Sequence, residues 1–155
     1  HLEHRRQRQM CIRDRDPSPE TISNFVEEVL RYSSPSSNMF RRATKDVEMH
    51  GIKIPKDSIL FARFASANQD GEKFPDPYKF DITRENLKDQ VAFGKGVHHC
   101  LGAALSRREM NIGFRVIFER LENFRLSEGA RPPEFSANAL LHGLTGLQID
   151  FDKKA

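Results

Sequence analysis

Between residues 93 and 102 the chain reads Phe93-Gly94-Lys95-Gly96-Val97-His98-His99-Cys100-Leu101-Gly102, and no other stretch restricts so tightly what can be built around it. Gly94 and Gly96 permit left-handed backbone and lack the Cβ atoms that would hold a flat ligand away. Leu101, Ala104, Leu105, Ile112, Val116 and Ile117 then recur near helical spacing, which predicts an apolar helix beginning at about Cys100. A cysteine there has the first free N–H groups of the helix behind its sulfur, and those donors and the helix dipole together favour a thiolate. Two plainer readings stand beside this one. A cysteine after a glycine-rich turn is commonly a small buried hydrophobe, and His98-His99-Cys100 could belong to a zinc ligand set. For zinc no second cluster stands at ligand spacing, and the other cysteine is the distant Cys11.

Upstream, Ile22, Phe25, Val26, Val29 and Leu30 form a helical stripe in which Glu28 and Arg31, three apart, share a face. Taken alone, such a pair is a surface contact worth about 0.3–0.5 kcal/mol. Asp46 to Pro55 alternates and is broken at His50-Gly51, a hairpin signal, and Ser58 to Phe64 predicts the next strand. After the cysteine helix, Leu121 to Leu126 alternates as a strand and Arg131-Pro132-Pro133 marks a turn. Ala139 to Phe151 predicts a glycine-punctuated hairpin and a terminal strand.

Phe93, Gly96, His98, Cys100 and Gly102 fill every fixed position of the pattern Phe-x-x-Gly-x-(Arg/His)-x-Cys-x-Gly, and on these residues the chain resembles the cytochrome P450 family. The resemblance implies a mainly α fold with small β sheets (α+β), of which residues 16–155 would be the C-terminal haem-thiolate part, incomplete without the helix and loops on the other haem face. It implies haem b as cofactor, with Cys100 as axial thiolate to the iron and Phe93, Gly94, Gly96, His98, Leu101 and Gly102 around it. Phe93 would pack beside the sulfur, and the N–H groups of Leu101 and Gly102 would donate to it. Arg41 and His98 would hold the haem propionates, while His99 is the plainer loop histidine. The family's Glu-x-x-Arg falls on Glu28 and Arg31, with Arg84 completing a buried structural triad. At Ala67-Asn68-Gln69-Asp70 the chain departs from the usual Ala-Asn-Arg-Asp, a change expected to remove one local charge contact away from the haem. Asn138, Leu140 and Leu141, with Ser36, Ser37, Asn38 and Met39, would line the substrate pocket.

The activity implied is that of a monooxygenase: thiolate electron density favours cleavage of the O–O bond, and one oxygen atom from dioxygen enters a small hydrophobic organic substrate. Electrons would come from a ferredoxin or flavodoxin docking over Lys95, Arg107, Arg108 and Arg115. A peroxygenase or isomerase of the same fold is the alternative. A third reading is an inactive truncated fragment that by itself neither holds haem nor folds stably, and it is the expectation for the isolated chain.

Residues 1–15 stand apart. Met10-Cys11-Ile12-Arg13-Asp14-Arg15 back-translates to the end of a transposase adaptor used in DNA library preparation, so residues 1–15 are expected to be an artefact or a disordered tail. Reading the original locus from unamplified DNA tests this, and an uninterrupted adaptor-free codon run there would refute it. The chain has 25 Lys+Arg against 22 Asp+Glu, a net of +3, and residues 1–16 supply +2 of it. The basic balance therefore argues for no nucleic-acid partner. No stretch approaches the ~20 apolar residues of a membrane span, and two cysteines make no disulfide framework. A cytoplasmic, bacterial-type member is the expectation.

Overall fold

The computed structural model describes residues 18–154. The reading of residues 1–15 lies outside them. Helix α1 (Pro19–Tyr32) starts where the sequence supplies a cap: Ser18 Oγ accepts the Thr21 amide at 3.2 Å, and Pro19 takes a first-turn position that needs no N–H. It ends as the Ser33 amide closes on Val29 O at 2.9 Å. Ile22, Val26 and Leu30 are buried along the expected stripe, each contributing about 1.5–3 kcal/mol relative to exposure. Phe25 lies edge-to-face with Phe80, Phe114 and Phe118, at centroid separations of 5.9, 5.0 and 5.5 Å. Glu27, Glu28 and Arg31 are buried as well, so α1 is enclosed on its polar side too.

Strand β1 (Met39–Arg42) pairs antiparallel with β4 (Ile59–Ala62), Met39 opposite Ala62 and Arg42 opposite Ile59. Inserted between them is the hairpin β2 (Val47–Met49) and β3 (Ile52–Ile54), in register Val47 to Ile54. His50 (φ 50°) and Gly51 (φ 79°) both turn left-handed, which is the two-residue turn the His-Gly pair signals. The strand expected over Ser58 to Phe64 is shorter: Phe64 leaves β4 to start the one-turn helix α2 (Phe64–Ala67). Chain geometry explains the break, because the Ala65 amide is drawn to Ser37 O at 3.1 Å and away from the ladder.

Residues 68–102 contain no long element, only 3-10 turns at Leu87–Asp89 and Gly96–His98. Helix α3 (Ala103–Arg120) follows and runs without a loop into β5 (Leu121–Leu126), which pairs with β6 (Ile149–Lys153) across an irregularity between Glu122 and Arg125. Asn123 takes the left-handed conformation there (φ 53°), a position Asn tolerates at a bulge. The hairpin expected from Ala139 to Phe151 is different in detail. Its arms meet at Phe135 and Leu144, while Leu141 bridges to Ser36 instead, and only the terminal strand forms as expected.

The core joins the two long helices. Val26 and Leu30 of α1 pack with Ala92, and Met110 and Phe114 of α3 close over them. This face of α3 is not the stripe that the sequence suggests. Leu101, Leu105, Ile112, Val116 and Ile117 are exposed, Leu101 fully. A large uncovered apolar surface of that kind marks a face built to be covered.

Candidate haem-thiolate site

Both loop glycines adopt the left-handed backbone, Gly94 at φ 72° and Gly96 at φ 78°. Turned this way, the loop closes on itself: the Gly94 amide donates to Val91 O at 2.8 Å, the His99 amide to Gly96 O at 3.0 Å and the Cys100 amide to Phe93 O at 2.9 Å. His99 Nδ1 also lies 3.1 Å from Gly94 O, and both His98 and His99 are exposed. Gly94 sits under the Phe64 ring, whose nearest atom would be 3.7 Å from a Cβ there, so α2 anchors the loop from one side. Gly102 (φ −81°) needs no special backbone. A Cβ on it would meet Cys100 Sγ at 3.8 Å, an ordinary contact.

Cys100 is a free thiol, exposed to solvent. It is not the first residue of the helix, as the apolar spacing suggested. Cys100 O accepts the Ala103 amide at 3.2 Å, and this turn separates the sulfur from α3, which begins at Ala103 with Gly102 as its cap. Beside the cysteine, Val97 (97 %) and Leu101 (102 %) stand uncovered. Among the described residues no group of three or more His, Cys, Asp or Glu could hold a metal ion, so His98, His99 and Cys100 form no zinc cluster.

Behind the loop, α1 presents Glu28 and Arg31, both wholly buried. Arg31 forks onto the carboxylate, Nε to Oε2 at 2.6 Å and Nη2 to Oε1 at 2.8 Å, and spends its other donors on Asn68 O (2.9 Å), Pro77 O (2.8 Å) and Lys79 O (3.2 Å). Arg84 reaches the same carboxylate through Nε at 3.4 Å and holds the carbonyls of Pro75, Asp76 and Lys79. Two planar guanidinium groups thus pin the irregular chain from Asn68 to Arg84, a task that suits the fixed fork of arginine. In the sequence Asn68 stands out only as one residue of a variant tetrapeptide. Fully buried, its side chain accepts the Val91 amide at 2.7 Å and donates to Ser34 Oγ at 2.8 Å. Gln69, at the departure from the usual Arg, lies near Tyr32 O at 3.4 Å.

The Asp81 amide also donates to Glu28, at 2.8 Å. For its carboxyl, partial burial works to raise the pKa. Hydrogen bonds from the Thr83 hydroxyl and amide and from Lys79, with the Lys79 charge, outweigh burial and bring it from 3.8 to about 2. A depressed folded-state value means that the unfolded chain binds the proton more tightly. Asp81 therefore adds stability that is complete above about pH 4 and is lost as pH falls toward 2. In melting curves from pH 5 to 2, Asp81→Asn is expected to flatten the acid decline, and an unaltered slope would show that this carboxylate has no part in it.

Ser36 to Asn38 and Asn138 to Leu141 do come together. The Ser37 amide and hydroxyl both donate to Leu140 O, at 2.9 and 3.2 Å and across 103 residues of chain, and Asn38 Nδ2 donates to Ala139 O at 2.9 Å. Met39 follows at the start of β1. Arg41, on the same strand, is half-buried and donates to its neighbour's carbonyl, Phe40 O, at 2.8 Å. Of the four cations assigned to docking, Arg107 is corrected by the structure: it is paired inward with Glu27 at 2.6 Å. The partner is a carboxylate 80 positions away, beyond the reach of any local pattern. Lys95, Arg108 and Arg115 are exposed.

A sequence model of the family described as Cytochrome P450 matches residues 3–150, a span that also takes in most of the stretch set aside as a tail. The chain belongs to the cytochrome P450 family. Among its relatives, 6-deoxyerythronolide B hydroxylase of Saccharopolyspora erythraea is 35 % identical over 144 residues, covering 93 % of this chain and 35 % of the relative. The fold matches cytochrome P450 CYP109Q5 of Chondromyces apiculatus with a TM-score of 0.84 at 32 % identity, over 98 % of this chain and 38 % of that one. Substrate-free CYP150A6 of Mycobacterium marinum gives 0.84 at 31 % identity, over 89 % and 36 %. The chain spans about a third of the length of these P450 proteins. The fold is accordingly part of the P450 fold, the general activity of the family is monooxygenation, and haem is its general cofactor. No helix among the described residues is long and apolar enough to cross a membrane.

Proposed function

We propose that this chain is the thiolate-side part of a haem b monooxygenase, with Cys100 as the axial ligand. The observation that carries the reading is the presentation of Cys100: a free, exposed thiol on a loop that closes from Phe93 to Cys100, beside the bare backbone of Gly94 and Gly96 and the uncovered side chains of Val97 and Leu101. These residues fit a flat apolar group whose metal accepts sulfur. When bound, haem supplies dioxygen activation and the insertion of one oxygen atom into an organic substrate.

The chain's own residues bind and orient. Cys100 would hold the iron, Phe93 would pack beside the sulfur, and the amides of Leu101 and Gly102 would donate to it and tune the metal. His98 and Arg41 would meet the propionates. Glu28, Arg31 and Arg84 are structural in this reading, holding the segment that leads into the loop. The seam between Ser36–Met39 and Asn138–Leu141 would face a small hydrophobic substrate. Lys95, Arg108 and Arg115 offer positive charge to an acidic ferredoxin or flavodoxin. The whole protein would act in the cytoplasm, with no nucleic-acid partner. By itself this third of a P450 supplies one face of the site, and no turnover is expected from it.

The test is the carbon monoxide difference spectrum of the dithionite-reduced protein with haem added, measured beside Cys100→His. Where the chain takes up haem, a strongly red-shifted Soret band that vanishes in the variant is the expected result, and no uptake would mark the chain as an incomplete piece without touching the family assignment. The same band in both proteins would remove Cys100 as the ligand.

A further inference from the structure

Glu27 and Glu28 are neighbours on α1, both buried, yet their carboxylates serve different parts of the molecule. Glu28 belongs to the arginine pair described above. Glu27 receives Arg107 from the second turn of α3 through two bonds, Nε to Oε1 at 2.6 Å and Nη2 to Oε2 at 3.2 Å. It also accepts the side-chain amide of Gln90 at 3.0 Å, and Gln90 in turn accepts the Ala92 amide on Oε1 at 2.6 Å. The Arg107 guanidinium lies over the Phe93 ring, 4.7 Å from its centroid.

One carboxylate therefore grips the chain on both sides of the cysteine loop: residues 90–93 as they enter it and α3 as it leaves. Residues 95–101 are all exposed, and the backbone bonds of the loop run mainly to itself. Apart from the Phe64 ring against Gly94, a loop of that kind takes its position from its two ends.

We propose that Glu27, Gln90 and Arg107 form a clamp that sets where the Cys100 loop stands on α1, making them positioning residues for the sulfur. The bidentate fork fixes distance and orientation together, which a point charge would not do. Removing Arg107 would leave a buried carboxylate short of its countercharge and take one of the contacts off the Phe93 ring at once. The value of the clamp for iron ligation rests on the haem-thiolate reading above. Its existence does not.

The experiment uses the full chain with Cys11→Ser, so that a nitroxide label reports on Cys100 alone, together with amide hydrogen exchange. Arg107→Met is expected to narrow the label's spectrum and to speed exchange at the Ala92 and Cys100 amides at least tenfold more than at the Asp81 amide, which Glu28 holds. Arg107→Lys, keeping a charged bond to Glu27, should recover part of both effects, and Arg84→Met should leave the label unchanged. Equal acceleration at all three amides, an unaltered label in Arg107→Met, or wild-type amides at Ala92 and Cys100 that exchange as fast as unbonded loop amides would each overturn the clamp. Neither readout needs haem, so failure of the haem assignment would show in the carbon monoxide spectrum and leave this result standing.

Discussion

Replacing Arg31 by Met is expected to cost about 3–5 kcal/mol of folding stability, the usual penalty for breaking a buried ion pair from one side. Both members are wholly buried, and the pair is bidentate at 2.6 and 2.8 Å. With Arg31 gone, Glu28 keeps, among the described residues, the Asp81 amide at 2.8 Å and Arg84 Nε at 3.4 Å, too little to compensate a desolvated charge. The carbonyls of Asn68 and Pro77 lose the donor Arg31 gives them, so the irregular segment loosens with the helix. Methionine fills much of the volume and isolates the electrostatic part of the loss. Urea unfolding followed by far-ultraviolet circular dichroism measures it. A loss under about 1 kcal/mol would mean that Glu28 escapes to water in the variant and that the triad is not the keystone of the segment.

Asn68→Ala should follow at about 1–3 kcal/mol, chiefly from the half-buried Val91 amide left without its acceptor. The Val91 amide would lose its acceptor at 2.7 Å, and Ser34 Oγ, which itself donates to Leu30 O at 2.9 Å, would lose the Asn68 donor at 2.8 Å. Because Val91 lies next to Ala92 at the entrance to the cysteine loop, the same substitution should raise hydrogen exchange at Gly94 and Cys100. The comparison with Asn68→Asp is informative. Asp keeps the acceptor for Val91 but turns the donor to Ser34 into an acceptor and adds a buried charge, so it should lose stability as well while retaining the relative protection at Gly94 and Cys100. Similar exchange in the two variants would show that the Val91 bond does not support the loop.

The parts of this structure that were legible in the sequence are those set by neighbours in the chain. The His50-Gly51 turn, the strand Leu121–Leu126 and the left-handed Gly94 and Gly96 all follow from local backbone preference. The pairing of Glu28 with Arg31 was visible as a spacing, and Arg84 only through the family pattern. Other features gave no such signal. Asn68 resembled one residue of a polar tetrapeptide, and Arg107 reads in the sequence as a docking cation because its partner Glu27 lies 80 residues away. The apolar stripe of α3 pointed to a buried face that the described fold leaves open, while the helix packs instead through Ala103, Met110 and Phe114.

By itself, then, the sequence determined the chemistry on offer: a thiol on a glycine-spaced loop, and carboxylates and guanidinium groups in number sufficient to brace it. Local dihedral preference and side-chain type act over a few residues, and they are written in the order of the chain. Which carboxylate meets which arginine was decided only by the tertiary structure, as was the depth at which they are buried and the seam joining Ser37 to Leu140. Those pairings depend on desolvation and on segments brought together from far apart, and a charge reads the same in sequence whether water surrounds it or a protein interior does.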